Sequence, residues 1–272
     1  MLRKRRSVLS WALVAFLSVV TPFTLKAAEK MDAAKVKKML KTMGISQVEV
    51  LGVQPAPVKG LYMVYVKLGD NRRAAFVLSK DGRYLITGKL IDIKEGGKDL
   101  TMEVGVNKGY FPLPSGRSLK DSKVRINTTG SPVFGPSRAP EVVVYFDPLC
   151  PFCLKELRDL KPMAEEGKIR LVLKYFIVHG DKARNLAYKA LCLYQQGQKR
   201  AFWDFIFSRG ATGGDFRGKC DEGKVELILT RDGEEAQKLQ LRGTPASIIR
   251  GKVYTGYLGR VVLTKILSEG GG

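Results

Sequence analysis

Four cysteines carry the chemistry that this sequence makes available: Cys150, Cys153, Cys192 and Cys220. Cys150-Pro151-Phe152-Cys153 follows the apolar run EVVVYF at 141–146 and opens a segment of helical character, about 151–165. A cysteine at a helix N-cap points its sulfur at unpaired backbone N–H groups and at the positive end of the helix dipole. Both favour thiolate over thiol, lowering a free pKa of ~8.5 toward ~3.5–7 in motifs of this kind. Pro151 sacrifices no hydrogen bond at the first helical position and presets φ there. Cys153, three residues on, shares a helix face with Cys150 and lies close enough to bridge it. The spacing predicts a redox pair, with Cys150 the exposed nucleophile, Cys153 the more buried resolving thiol, and Pro151-Phe152 the dipeptide between them.

Two other chemistries suit a CxxC pair: half of a zinc site, or an inert structural disulfide. Zinc requires a second pair, whereas Cys192 and Cys220 stand 28 residues apart with no histidine near them. The one histidine, His179, starts a loop and reads as an ordinary polar residue. No metal and no cofactor is expected.

Gly243-Thr244-Pro245 precedes an apolar strand pattern, ASIIR, 95 residues after Cys150. A proline there has no N–H, which leaves the Thr244 backbone free to pair with an extended substrate strand lying across Cys150. Cys192 falls within the helical stretch LAYKALCLYQQ and Cys220 just before another. Of the three possible pairings, Cys192–Cys220 leaves Cys150 and Cys153 free to cycle. It would close a loop of about 29 residues, stabilising by about 3 kcal/mol in the chain-entropy account. Two unpaired buried thiols are the alternative.

The elements that must hold these residues are legible as changes of period. Ala34, Val36, Met39, Leu40 and Met43 recur at helical spacing before Gly44. From 45 to 93 the period becomes two, through VEVLGV, LYMVYVKL, RAAFVLS, RYLIT and KLIDI, with Asp81-Gly82 marking a hairpin. This predicts a small α+β domain over 28–105. Residues 106–140, rich in Gly and Pro, read as a linker, with 123–126 a candidate strand. Over 141–272, EVVVYF has the continuous apolarity of a strand buried on both faces. A helix, a strand over 168–178, helices at 182–196, 199–208 and 222–240, a hairpin about Arg250-Gly251 and a closing helix follow. That order is thioredoxin-like α/β with a helical insertion.

The chain of 272 residues carries 47 Lys plus Arg against 26 Asp plus Glu, a formal charge of +21, and its 44% hydrophobic content excludes wholesale disorder. Residues 1–27 have the plan of a secretory signal: bases at 3–6, the apolar run 8–20, then small residues at Ala27 and Ala28. A retained anchor is the alternative, although the run of 13 falls short of the ~20 residues that span a bilayer. Removal of 1–27 takes away five bases and no acid, leaving +16. Export implies an oxidising compartment, where cysteine pairs persist. No nucleic-acid-binding motif accompanies the charge, so no nucleic acid is expected as a partner.

The sequence resembles the periplasmic disulfide isomerases of the DsbC/DsbG type. The likeness rests on KTMGI, QPAPVKG at 54–60, KDGRYLITG, YFDPLCPFC, KALCLYQQ with KRAFWDF, QLRGTPASII and GKVYTGYLG. It implies a cystatin-like dimerisation domain joined to a thioredoxin domain in a V-shaped homodimer with an uncharged cleft. It also implies that Cys150 and Cys153 are the redox pair, Thr244-Pro245 the cis-proline loop and Cys192–Cys220 a structural disulfide. Such proteins are kept reduced by a membrane thiol reductant of the DsbD type and act on misfolded or misoxidised exported proteins. Three features depart from the family: the Gly/Pro-rich connection, Pro-Phe between the cysteines, and the strong positive charge. Where thioredoxin has a buried carboxylate, six residues before the first cysteine, this chain has Val144, so water or Glu156 would have to relay the proton. The expected function is disulfide isomerase or reductase. A dithiol reductase protecting single cysteines and a cysteine-independent holdase chaperone are the alternatives.

Overall fold

The computed structural model describes residues 31–94, 98–212 and 220–269. The expected signal segment, 1–27, lies outside the described residues. No helix among them is long and apolar enough to cross a membrane.

The N-terminal unit begins with α1 (Ala33–Thr42), whose N-cap Asp32 accepts a hydrogen bond from the Lys35 amide. Val36 and Leu40, one turn apart, bury α1 on an antiparallel meander of β1 (Val48–Pro55), β2 (Leu61–Leu68), β3 (Arg73–Ser79) and β4 (Leu85–Thr87). The sheet contributes Val48, Val64, Val66 and Leu78 to that core. The stretch read as a further strand, KLIDI, contributes only β5 (Ile91–Asp92), which pairs with β6 (Lys98–Asp99) outside the meander.

A helix that the periodicity did not reveal follows, α2 (Leu100–Asn107), capped by the Asp99 side chain on the Met102 amide. Its sequence LTMEVGVN alternates as a strand would and holds a glycine. Gly105 is there because Phe111 and Tyr65 lie against the helix; a Cβ would stand 2.4 Å from the Phe111 ring. The Tyr65 hydroxyl donates to the Thr101 carbonyl, fixing α2 to β2, and Lys265 Nζ donates to the Val106 carbonyl, joining α2 to the C-terminal unit.

The interval expected to be a linker, 106–140, contributes both edge strands of the second sheet. It supplies β7 (Arg117–Ser118), a 3₁₀ turn at Lys120–Ser122 and β8 (Val133–Phe134), while the candidate strand at 123–126 is not one. The sheet continues with β9 (Glu141–Phe146), α3 (Pro151–Glu165), β10 (Arg170–Tyr175), α4 (Gly180–Gln195), α5 (Lys199–Phe207), α6 (Glu222–Lys238), β11 (Ala246–Ile249), β12 (Lys252–Thr255) and α7 (Arg260–Ser268). Strand order is β7-β12-β11-β9-β10-β8, so β7 and β8, both from the supposed linker, close the two edges. β9 and β10 are parallel and joined by α3; β11 lies antiparallel to β9.

Successive residues of β9 enter different cores, Val142, Val144 and Phe146 on one face and Val143 and Tyr145 on the other. That is why the run shows no polar alternation. A buried ion network holds the connection down. Lys174 Nζ lies 2.8 Å from Asp232 Oδ1 and 2.7 Å from Glu235 Oε2. It also donates to the Asn127 carbonyl at 2.6 Å, and Glu235 Oε1 accepts from the Asn127 amide. Arg231 Nη2 donates to Ser131 Oγ. A segment whose backbone feeds a buried charge cluster is part of the domain, not a free tether.

Candidate redox site

Cys150 is the N-cap of α3 and Pro151 its first residue. Cys150 Sγ accepts from the Cys153 amide at 3.4 Å, so the sulfur does face the unpaired N–H groups of the helix start. The helix begins here because the Asp147 carboxylate folds the loop after β9. Asp147 Oδ1 accepts from the Leu149 amide at 2.7 Å, and the Cys150 amide donates to the Asp147 carbonyl.

Cys150 and Cys153 are free, and Cys192 is bonded to Cys220 with Cα atoms 5.2 Å apart. The disulfide ties the last turn of α4 to the residue before the Asp221 cap of α6, across the helical insertion. Cys150 differs from the expectation of an exposed sulfur: it is 5% exposed, against 0% for Cys153, so its thiol is covered rather than open. The covering group is the loop before β11, since the Cys150 thiol donates to the Thr244 carbonyl at 3.4 Å. The Thr244-Pro245 peptide is cis. Phe152, in contrast, is 61% exposed and leaves an apolar surface beside the sulfur.

Burial pushes the Cys153 thiol far above its ordinary range, opposed by the Thr244 hydroxyl and by the Asp147 amide, which donates to its sulfur at 3.5 Å. The Thr244 hydroxyl is itself buried beside the Cys153 thiol.

Three residues outside the CPFC and GTP motifs, Asp147, His179 and Glu156, shape the site, and of these only Asp147 had no reading from the sequence. The Asp147 carboxylate is fully buried, and its Oδ2 accepts from the Val178 and His179 amides at 2.8 and 3.0 Å. His179 Nδ1 lies 3.1 Å from the same oxygen. Asp147 thereby clamps the CPFC loop to the start of α4, and His179, read as an ordinary polar residue, is part of that clamp. The signal for Asp147 was its place in FDPLC, three residues before Cys150. Glu156 is fully buried; desolvation pushes its pKa up to about 7, against hydrogen bonds from Ser247 Oγ at 2.7 Å and the Leu258 amide at 3.0 Å. It ties α3 to the strand after the cis-proline, and among the described residues it has no hydrogen bond to either free sulfur. Val144, where thioredoxin carries its acid, is buried among apolar groups. Among the described residues no group of three or more His, Cys, Asp and Glu could hold a metal.

Comparison with known proteins finds matches over parts of the chain. Residues 27–102 match the disulfide bond isomerase protein N-terminal domain and residues 127–212 match the thioredoxin family. The thiol:disulfide interchange protein DsbG of Pseudomonas aeruginosa is 32% identical over 103 residues, a match that covers 38% of this chain and 38% of that protein. Among solved structures, the catalytic domain of Proteus mirabilis ScsC is 20% identical, with a TM-score of 0.46, over 55% of this chain and 93% of that one. The thiol-disulfide exchange protein α-DsbA2 of Wolbachia pipientis is 22% identical, with a TM-score of 0.44, over 51% and 86%. A periplasmic thioredoxin-like protein of Salmonella enterica serovar Typhimurium is 18% identical, with a TM-score of 0.46, over 56% and 94%. A match to the disulfide bond isomerase N-terminal domain thus precedes a match to the thioredoxin family, and over 38% of its length the chain is similar to a DsbG thiol:disulfide interchange protein.

Proposed function

We propose that this protein is a periplasmic thiol-disulfide oxidoreductase that reshuffles or reduces wrong disulfides in exported proteins. The observation that carries this reading is the division of the four cysteines. Two are bonded across the helical insertion, while two stand free at the start of α3 beneath a cis-proline loop. In the dithiol form the Cys150 thiolate attacks one sulfur of a substrate disulfide. A Cys150–substrate bond forms as the substrate bond breaks, and the second substrate sulfur leaves as thiolate. That thiolate can attack another disulfide in the substrate and, through it, release the enzyme unchanged, which is isomerisation. Alternatively the Cys153 sulfur, once deprotonated, attacks Cys150. The substrate then departs with two electrons gained and the enzyme holds a Cys150–Cys153 disulfide. The elevated Cys153 pKa favours the first outcome by slowing the second.

The substrate's backbone would take the Thr244 carbonyl that the Cys150 thiol now occupies, so docking and freeing of the nucleophile are one event. Reduction of the oxidised pair falls to a membrane thiol reductant of the DsbD type. A homodimer formed through the N-terminal unit is supported by β4, an edge strand of three residues whose Ile86 stays 52% exposed, with Tyr84 just before it 60% exposed. The test is refolding of a protein with scrambled disulfides by the reduced enzyme. Wild type should restore native pairing, Cys150→Ala should not, and Ile86→Glu should impair it together with dimerisation. Reduction of the substrate without any gain in native pairing would leave a reductase. Undiminished suppression of aggregation by Cys150→Ala, with no pairing activity in wild type, would favour a holdase.

A further inference from the structure

The positive charge gathers at one place that the redox reading does not use. Two adjoining cavities of about 700 and 630 Å³ share Leu119, Val124, Arg125, Arg250 and Gly251 as walls. Their floor is aliphatic, with Val143 and Ile248 buried and Leu119, Val124 and Ile126 half-buried. Their rim carries Lys120, Lys123, Arg125, Arg138, Arg250 and Lys252, all exposed. Among the described residues none of these six forms an ion pair, and the acid in the wall, Glu141, is taken by Arg170. Arg250 Nη2 donates to the Leu267 carbonyl.

Position sets the groove apart from the redox pair. It meets β9 at Glu141 and Val143 and β11 at Ile248, whereas Cys150 follows the other end of β9 and Pro245 precedes β11. A strand of six residues separates the two poles by about 20 Å. The backbone also shows what the groove retains. Lys123 and Arg250 sit at φ 55° and 50° in the two turns that wall it. That left-handed region suits glycine or asparagine, and Asn-Gly is the favoured pair for a hairpin of the Arg250-Gly251 kind. Basic side chains are held there against local preference.

We propose that this groove receives an extended, acidic segment of a protein partner, with its apolar side chains on the floor and its carboxylates on the rim. Alternation along an extended chain would present those two kinds of side chain to opposite sides of its backbone, and a two-level groove of aliphatic floor and cationic rim matches that pattern. A flat bilayer surface could touch the rim but could not follow the concavity to the floor. Single-stranded nucleic acid would find no ring to stack on, since neither cavity is lined by an aromatic residue. The segment would be held while Cys150, at the other pole, remained open to a disulfide.

The test is fluorescence anisotropy of a labelled peptide of alternating Glu and Leu with the full chain, over a range of salt. Lys123→Glu/Arg125→Glu should weaken binding about tenfold, while Lys37→Glu/Lys38→Glu on α1, an identical change in net charge, should leave it within about twofold. Arg138→Glu/Lys252→Glu repeats the test from other parts of the rim if the first variant fails to fold. The same peptide with Gln for Glu should bind weakly, and amide shifts on peptide addition should fall at 119–126 and 248–252. Thiol exchange by the groove variants should match wild type. Equal loss in the groove and α1 variants would reduce the site to non-specific attraction. Absence of binding would overturn the proposal, as would tighter, competing binding of phosphatidylglycerol vesicles or a single-stranded oligonucleotide.

Discussion

Glu156→Gln should make the protein more stable at neutral pH while leaving it unchanged in acid. Glu156 is wholly buried, and its pKa is pushed up to about 7 from an ordinary 4.5. In the unfolded chain the carboxyl ionises near 4.5; in the folded protein it stays protonated until about 7. Over that interval the folded state binds more protons than the unfolded state, so stability falls as pH rises and levels off above 7. The shift corresponds to about 3 kcal/mol lost between pH 4.5 and 8. Glutamine keeps the shape of the acid and can accept from the Leu258 amide while donating to Ser247 Oγ, without ionising. The assay is urea unfolding at pH 4.5 and pH 8, followed through Trp203, a buried residue of the same unit. The variant should match wild type at pH 4.5 and exceed it by about 3 kcal/mol at pH 8. An equal difference at both pH values would mean that packing, not ionisation, separates the two. No difference at pH 8 would refute the claim that ionising this desolvated carboxyl costs stability.

Other perturbations test other links in the argument. Cys153→Ala should accumulate a mixed disulfide between Cys150 and substrate, seen as a non-reducing gel shift that dithiothreitol reverses. Lys174→Met leaves Glu235 buried without its cation and Asp232 with Arg231 alone, and should cost about 3–5 kcal/mol at pH 8. Burial already raises the Asp232 pKa, with Lys174 opposing it; without the lysine the carboxyl protonates more readily, so the defect should shrink when unfolding is measured at pH 5. Gly135→Ala should be poorly folded, detectable as a lowered thermal midpoint. Gly135 has φ +87°, and an added Cβ would stand 2.1 Å from the Ile169 carbonyl oxygen, a backbone atom that cannot turn aside.

Local sequence determined the start of α3, because the determinants are local: a cysteine at the N-cap, a proline next and a second cysteine one turn on. The continuous apolarity of β9 announced burial on both faces, and the period-two runs announced β1–β3. Tertiary structure decided what depends on residues distant in the chain. α2 was hidden because its alternating pattern becomes helical only when Gly105 admits Phe111 and Asp99 caps the first turn. The connection at 106–140 looked like a tether because its Gly and Pro residues suppress periodicity. The structure takes the two edge strands of the second sheet from it, and the ion-paired Lys174 and Glu235 together bind its backbone at Asn127. The cover over Cys150 is also tertiary: a carbonyl 94 residues away, at Thr244, decides that the nucleophile is sheltered. The type and spacing of Cys150 and Cys153 specify what reaction is available; the cis-proline loop, the Asp147 clamp and the buried Glu156 determine the environment in which it occurs.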